Sequence, residues 1–83
     1  MVFLGIDLHS NCFACCFLHE DGGSDTMTFS LTPLELGEFY KRLTPETYVM
    51  IEASTNTFQF ADLIRSRVQQ VFVANPHKLK LIL

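Results

Sequence analysis

Asp7, at the end of the run Val2-Phe3-Leu4-Gly5-Ile6, and Glu52, at the end of Val49-Met50-Ile51, are carboxylates that close short apolar segments. A strand buried on both faces reads as continuous apolar residues, and an acid at its last position escapes burial by opening onto the crevice at a parallel sheet's carboxyl edge. Two such acids on neighbouring strands make half of a metal site. Hard carboxylates brought together repel unless a divalent cation such as Mg²⁺ or Mn²⁺ neutralises them. A pair of such ions about 3.5–4 Å apart can activate a nucleophile and stabilise the leaving oxygen in phosphodiester chemistry. No third acid ends a strand, because Asp62 falls within an expected helix and Glu20, Asp21 and Asp25 surround an expected turn. A plainer reading of the same residues has Asp7 bonding turn amides and Glu52 capping the helix that follows.

The elements that must position these acids follow from periodicity. Residues 2–8 read as a buried strand, His9-Ser10-Asn11 as a tight turn and Cys12–His19 as the second strand of a hairpin. Asp21-Gly22-Gly23 supplies the next turn, and Thr26–Leu31 alternates as a more polar, edge-lying third strand. Thr32-Pro33-Leu34-Glu35 is a capping box with Pro at the first helical position, and Leu36, Phe39, Tyr40 and Leu43 recur at i, i+3, i+4 and i+7. Tyr48–Glu52 then reads as a strand, Ser54-Thr55-Asn56 as the cap of a helix reaching about Arg67 with an inward stripe of Phe60, Leu63 and Ile64, and Val68–Ala74 as another strand. Asn75-Pro76 has the form of a helix start, with Asn at the cap and Pro at the first position.

The resulting order is strand, strand, strand, helix, strand, helix, strand, helix. Antiparallel-capable strands followed by βαβ crossovers describe an α/β fold with a mixed sheet, in the order found at the front of ribonuclease H-like domains. In such a sheet the first strand lies beside the fourth and parallel to it, which would bring Asp7 and Glu52 together.

Composition narrows the function classes. The chain has 83 residues, enough for one domain (1–83) of modest core, yet 48% are hydrophobic and eight are Phe, which predicts more apolar surface than it covers alone. A homo-oligomer is one expectation. The other is that these residues are the front part of a longer protein, since Leu81-Ile82-Leu83 carries no Gly, polar cap or charge cluster that closes a helix. A formal net charge of −3 lacks the electrostatic footprint of a self-sufficient nucleic-acid binder. Met1–Leu4 has no basic residue before it and Asp7 interrupts the apolar run, so neither a signal peptide nor a membrane span is expected; three cysteines, an odd number, suit a reducing cytoplasm.

Three segments together resemble successive signatures of one family: Gly5-Ile6-Asp7-Leu8-His9, Ile51-Glu52-Ala53-Ser54, and Val73-Ala74-Asn75-Pro76-His77-Lys78-Leu79-Lys80. The family is the DEDD transposases of the insertion-sequence one-hundred-and-ten group, whose N-terminal domain is ribonuclease H-like and similar to Holliday-junction resolvases. The resemblance spans essentially the whole chain in the family's order. It implies that Asp7 and Glu52 match the family's first and second acids, binding Mg²⁺ or Mn²⁺ for DNA cleavage and strand transfer. The family's two further aspartates, and its separate domain with a nucleophilic serine, have no counterpart in these residues, so Ser10 and Ser54 are not cast in that role. The isolated chain is therefore expected to be inactive and to hold metal weakly or not at all, with DNA engaged through the full-length protein and an RNA guide implied by the family alone. The Ser54-Thr55-Asn56-Thr57-Phe58 stretch departs from the family's glycine and aromatic after its Glu-Ala-Thr run.

Competing readings rest on single features. An actin-like or sugar-kinase fold also begins its first hairpin with Gly-Ile-Asp, but His9-Ser10-Asn11-Cys12 offers one hydroxyl and no glycine to approach phosphate. A zinc module from Cys12, Cys15, Cys16, His9 and His19 fails on alternation, which sends Cys12 and Cys16 to one face and Cys15 to the other. His9 shares Asp7's side but reads as an exposed turn histidine, and Lys78 and Lys80 read as a solvated helix face. An inert interaction domain, dimeric through an exposed apolar helix, is the remaining class.

Overall fold

The computed structural model describes residues 1–52, 54, 56–75 and 80–82. The chain forms a mixed α/β layer in which five strands and a short sixth make one sheet: β1 (Val2–Leu8), β2 (Cys12–His19), β3 (Ser24–Ser30), β4 (Thr47–Glu52), β5 (Gln70–Asn75) and β6 (Lys80–Ile82). Their spatial order is β3-β2-β1-β4-β5-β6. β1, β2 and β3 pair antiparallel as consecutive hairpins, β4 runs parallel to β1, and β5 parallel to β4. The two parallel pairings need crossovers, supplied by α1 (Pro33–Tyr40) and α2 (Thr57–Ile64).

Local chemistry accounts for most of these elements. Gly22, at φ 92°, provides the positive-φ position of the β2–β3 turn. The capping box forms in altered shape: Thr32 Oγ1 accepts from the Glu35 amide at 3.5 Å, while the Glu35 carboxylate reaches past the cap to the Ser30 amide at 3.0 Å and the Ser30 hydroxyl at 2.8 Å. These bonds hold the Glu35 carboxyl below the usual carboxylate range and tie the start of α1 to the end of β3. The second helix is shorter than its pattern predicts, ending at Ile64 and tightening into a 3₁₀ turn over Arg65–Arg67. Asn56 makes no side-chain cap bond; the buried Thr57 hydroxyl instead lies 2.7 Å from the Ser54 amide and donates to the Glu52 carbonyl at 3.2 Å.

Both helices lie against one side of the sheet. Phe13 of β2 has ring-centroid distances of 4.8 Å to Phe39 of α1 and 4.9 Å to Phe60 of α2, and all three are buried. Alternation sends Leu4, Ile6 and Leu8 of β1, Phe13, Cys15 and Phe17 of β2, and Val49 and Ile51 of β4 into this core. Burial pushes the Cys15 thiol up to about 12. Leu63, expected to face inward, is half exposed; Ala61 and Thr57 join Phe60 and Ile64 on the buried stripe instead.

One expected element is corrected. A helix opening at Asn75-Pro76 and running to the end of the chain does not fit residues 80–82, which form β6 and pair antiparallel with β5 through Val73↔Ile82, Ala74↔Leu81 and Asn75↔Lys80. Residues 76–79 lie outside the described ones. Asn-Pro carries two meanings, helix start and turn start. Pairing along the open edge of β5 satisfies a row of backbone groups, and at residues 80–82 that pairing prevails over the local helix signal. Tyr48–Glu52 and Cys12–His19 agree with their strands to within a residue, and the third and fifth strands are displaced by one or two residues.

Candidate functional site

Among the described residues no helix lies on the second face of the sheet, and its side chains fall into rows across the strands. One row is Thr28, Ala14, Asp7, Glu52 and Ala74. It follows from the pairs Ala14↔Thr28, Asp7↔Ala14 and Glu52↔Ala74, and from the parallel register of β1 on β4, whose last pair Ile6↔Ile51 is followed on the two strands by Asp7 and Glu52. Adjacent strands are about 4.8 Å apart, so the two acids are next-door neighbours on the same face. The residues 45 positions apart in the chain meet because β1 and β4 pair in parallel with that offset, as Val2↔Thr47 to Ile6↔Ile51 record.

Both acids are exposed, and both line one open depression of about 500 Å³ whose floor includes Gly5, Ala14, Cys16, Thr26, Met50 and Ala74. The small side chains on either side, Ala14 beside Asp7 and Ala74 beside Glu52, leave room around the carboxylates. His9 Nε2 lies 3.2 Å from Asp7 Oδ2, so the histidine expected on Asp7's side does contact it. A smaller cleft of about 130 Å³, lined by Leu8, His9, Ser10, Ser54 and Asn56, continues beyond the carboxyl ends of β1 and β4. Crevices in that position are where open α/β sheets bind ligands.

The Thr57 hydroxyl was not among the residues that the sequence pattern singled out. By bonding the Glu52 carbonyl it fixes the corner between β4 and α2 and so the end of the strand that carries Glu52. A Ser/Thr within five residues after a strand's last acid was the available signal, but Ser54, Thr55 and Thr57 all fit it. The plainer role of Glu52 does not apply as expected: α2 begins at Thr57 with no acid in its first turn, so Glu52 is not its cap.

The donor set suits a hard divalent cation in kind, since carboxylate oxygens are what Mg²⁺ prefers. It is small in number. Among the described residues no three His, Cys, Asp or Glu side chains converge as a metal-ligating group. The cysteines are divided as alternation requires, with Cys15 in the core and Cys12 and Cys16 half-buried on the opposite face. No described helix is long and apolar enough to cross a membrane. Compared with protein-family models and with curated proteins, the chain matches none.

Proposed function

We propose that Asp7 and Glu52 are the metal-binding carboxylates of a ribonuclease H-like domain that takes part in DNA strand cleavage and transfer, as in the DEDD transposases its motifs resemble. The observation that carries this reading is the in-register parallel pairing of β1 with β4, which makes neighbours of the two acids on the uncovered face. Further support comes from the strand order β3-β2-β1-β4-β5, three antiparallel strands followed by two parallel crossovers, which is compatible with the ribonuclease H-like order expected from the sequence.

A bound divalent cation supplies activation of the attacking oxygen and stabilisation of the leaving oxygen in phosphodiester chemistry. The chain's own residues hold and orient. Asp7 and Glu52 provide oxygen donors from two rigid strands, so their spacing is set by sheet geometry and not by loop motion. His9 Nε2 lies 3.2 Å from Asp7 Oδ2. Ala14 and Ala74 keep the flanks clear for a bulky substrate backbone. With six Lys and Arg against nine Asp and Glu, the domain adds little attraction for DNA, which places the main grip on nucleic acid outside these residues.

Two measurements test the proposal. Titrating the 83-residue chain with Mn²⁺ while following water-proton relaxation is expected to reveal weak binding that both Asp7→Asn and Glu52→Gln weaken by at least about tenfold, a loss of some 1.4 kcal/mol. In a transposition-competent protein containing this domain, either substitution is expected to abolish strand cleavage with the thermal-unfolding profile unchanged. Cleavage at the normal rate by either variant overturns the assignment.

A further inference from the structure

The helix-covered side of the sheet carries a second group of charged residues, at the end away from Asp7 and Glu52. Register gives the separation, since His19 pairs with Val2 at the start of β1 whereas Asp7 pairs with Ala14 near its end. Phe17 and His19 of β2 and Asp25 and Met27 of β3 share this side on two adjacent strands, as the pairs Phe17↔Asp25 and Cys15↔Met27 require. α1 stops at Tyr40, and Arg42, in the turn beyond it, joins these four as the lining of a cleft of about 180 Å³. The base of the cleft is apolar, because Phe17 is buried and Met27 packs against the core.

The charges around the cleft are unevenly committed. Lys41 Nζ lies 3.1 Å from Glu38, and the Met1 ammonium 2.7 Å from Glu20. His19 Nε2 lies 2.9 Å from Asp25 Oδ2. Among the described residues the Arg42 guanidinium forms no ion pair, and Asp25 Oδ1 has no hydrogen-bond partner. One cleft thus holds a cation and a carboxylate oxygen that do not pair with each other. We propose that it binds a free apolar α-amino acid, its carboxylate on Arg42, its ammonium on Asp25 Oδ1 and its side chain on Phe17 and Met27.

The lining selects that ligand class. A simple anion would face Asp25 and a simple cation would face Arg42, a like-charge contact in either case, whereas a zwitterion offers each group its opposite. The planar guanidinium suits a carboxylate because it donates two parallel N–H bonds. The apolar base favours an aliphatic side chain over a polar one. Size sets the upper limit: pockets for drug-sized molecules measure about 300–1,000 Å³, so this smaller cleft takes one amino acid and not a nucleotide. A peptide segment lacks the free ammonium and carboxylate on one carbon. Arg42 and Asp25 are both exposed, which weakens each ionic contact and sets the affinity at roughly millimolar.

Titrating the ¹⁵N-labelled 83-residue chain with L-leucine to about 50 mM, while following its amide resonances, tests the proposal. Saturable shifts are expected at Phe17, His19, Asp25, Met27 and Arg42. Two analogues divide the zwitterion between them: 4-methylpentanoate keeps the carboxylate without the amine, and 3-methylbutylamine keeps the amine without the carboxylate. Each is expected to bind at least about tenfold more weakly than leucine. Arg42→Gln and Asp25→Asn, both at exposed positions, are expected to weaken leucine binding by a similar factor with the dispersion of the native spectrum retained. Absence of saturable shifts around the cleft, equal binding of leucine and 4-methylpentanoate, or wild-type affinity in Arg42→Gln would each overturn the proposal. None of these readouts involves metal or nucleic acid, so they stand apart from the fate of Asp7 and Glu52.

Discussion

The two faces of the sheet are built from the same strands and have opposite fates. On one, Leu4, Ile6, Phe13, Cys15, Val49 and Ile51 meet α1 and α2 and are nearly or wholly buried; on the other, Phe3, Gly5, Asp7, Cys16, Met50 and Glu52, their immediate neighbours in sequence, stand in or near solvent. Since β4 has apolar residues at both Val49 and Met50, hydrophobicity alone does not say which face is covered. The helices do. Each crossover returns to the same side, so a single layer of helix covers one face, and no described helix lies on the other. The covered face supplies stability and the open face carries the exposed acids, placed by strands they do not themselves stabilise.

The sharpest way to break that comparison is to cut equally large groups from the two faces. Phe13→Ala removes a ring in contact with Phe29, Phe39 and Phe60 and is expected to cost about 3–5 kcal/mol, a large part of the stability of a domain this size. Phe3→Ala, at a concentration where the chain is monomeric, is expected to cost less than about 1 kcal/mol because half of the ring is already solvated. Chemical denaturation of both variants measures the contrast, and equal losses would mean that the open face is covered in solution.

Cysteine reactivity probes the same division without changing the sequence. Cys12 and Cys16 are expected to react with iodoacetamide in the folded chain, whereas the buried Cys15, whose thiol is pushed up to about 12, is expected to be protected until unfolding. Peptide mapping by mass spectrometry reads each site separately, and early labelling of Cys15 would show that the helix layer opens readily.

Smaller effects test how the helix layer is attached. Thr32→Ala removes the side-chain cap of α1 and is expected to destabilise by about 1 kcal/mol in thermal melts. Glu35 gives a pH signature. Its carboxyl is held below its unfolded value by the Ser30 amide and hydroxyl, so its contribution is present above the unfolded pKa of about 4.3 and is lost as pH falls through the lower folded value. The group is exposed and solvent-screened, so the effect is slight. Glu35→Gln is expected to flatten that part of the stability profile; an unchanged acid limb would mean that the Ser30 bonds carry no net stability.

Much of this was legible in the residues. The alternation of Cys12 to His19 gave the buried and open faces of β2, the 3.6-residue spacing of Leu36, Phe39 and Tyr40 gave α1, and Thr32 and Glu35 gave its start. Asp7 and Glu52 were legible as strand-end acids, and His9 as lying on the side of Asp7. Leu63 was misread because α2 is only eight residues long and turns its narrower face, Phe60, Ala61 and Ile64, inward. Residues 80–82 were misread because a cap signal is local, whereas the unpaired edge of β5 that captures β6 exists only once the sheet has formed.

By itself, then, the sequence determined which residues share a face, where most elements start and which side chains carry charge, because these depend on neighbours within a few positions. Only the tertiary structure decided that β1 lies beside β4 in the register that makes Asp7 and Glu52 adjacent, and that both helices cover the same side. Period-two alternation is unchanged by exchanging one partner strand for another. Choosing the partner takes the burial of the common core, where Phe13 meets Phe39 and Phe60, and that burial is a property of the assembled layers.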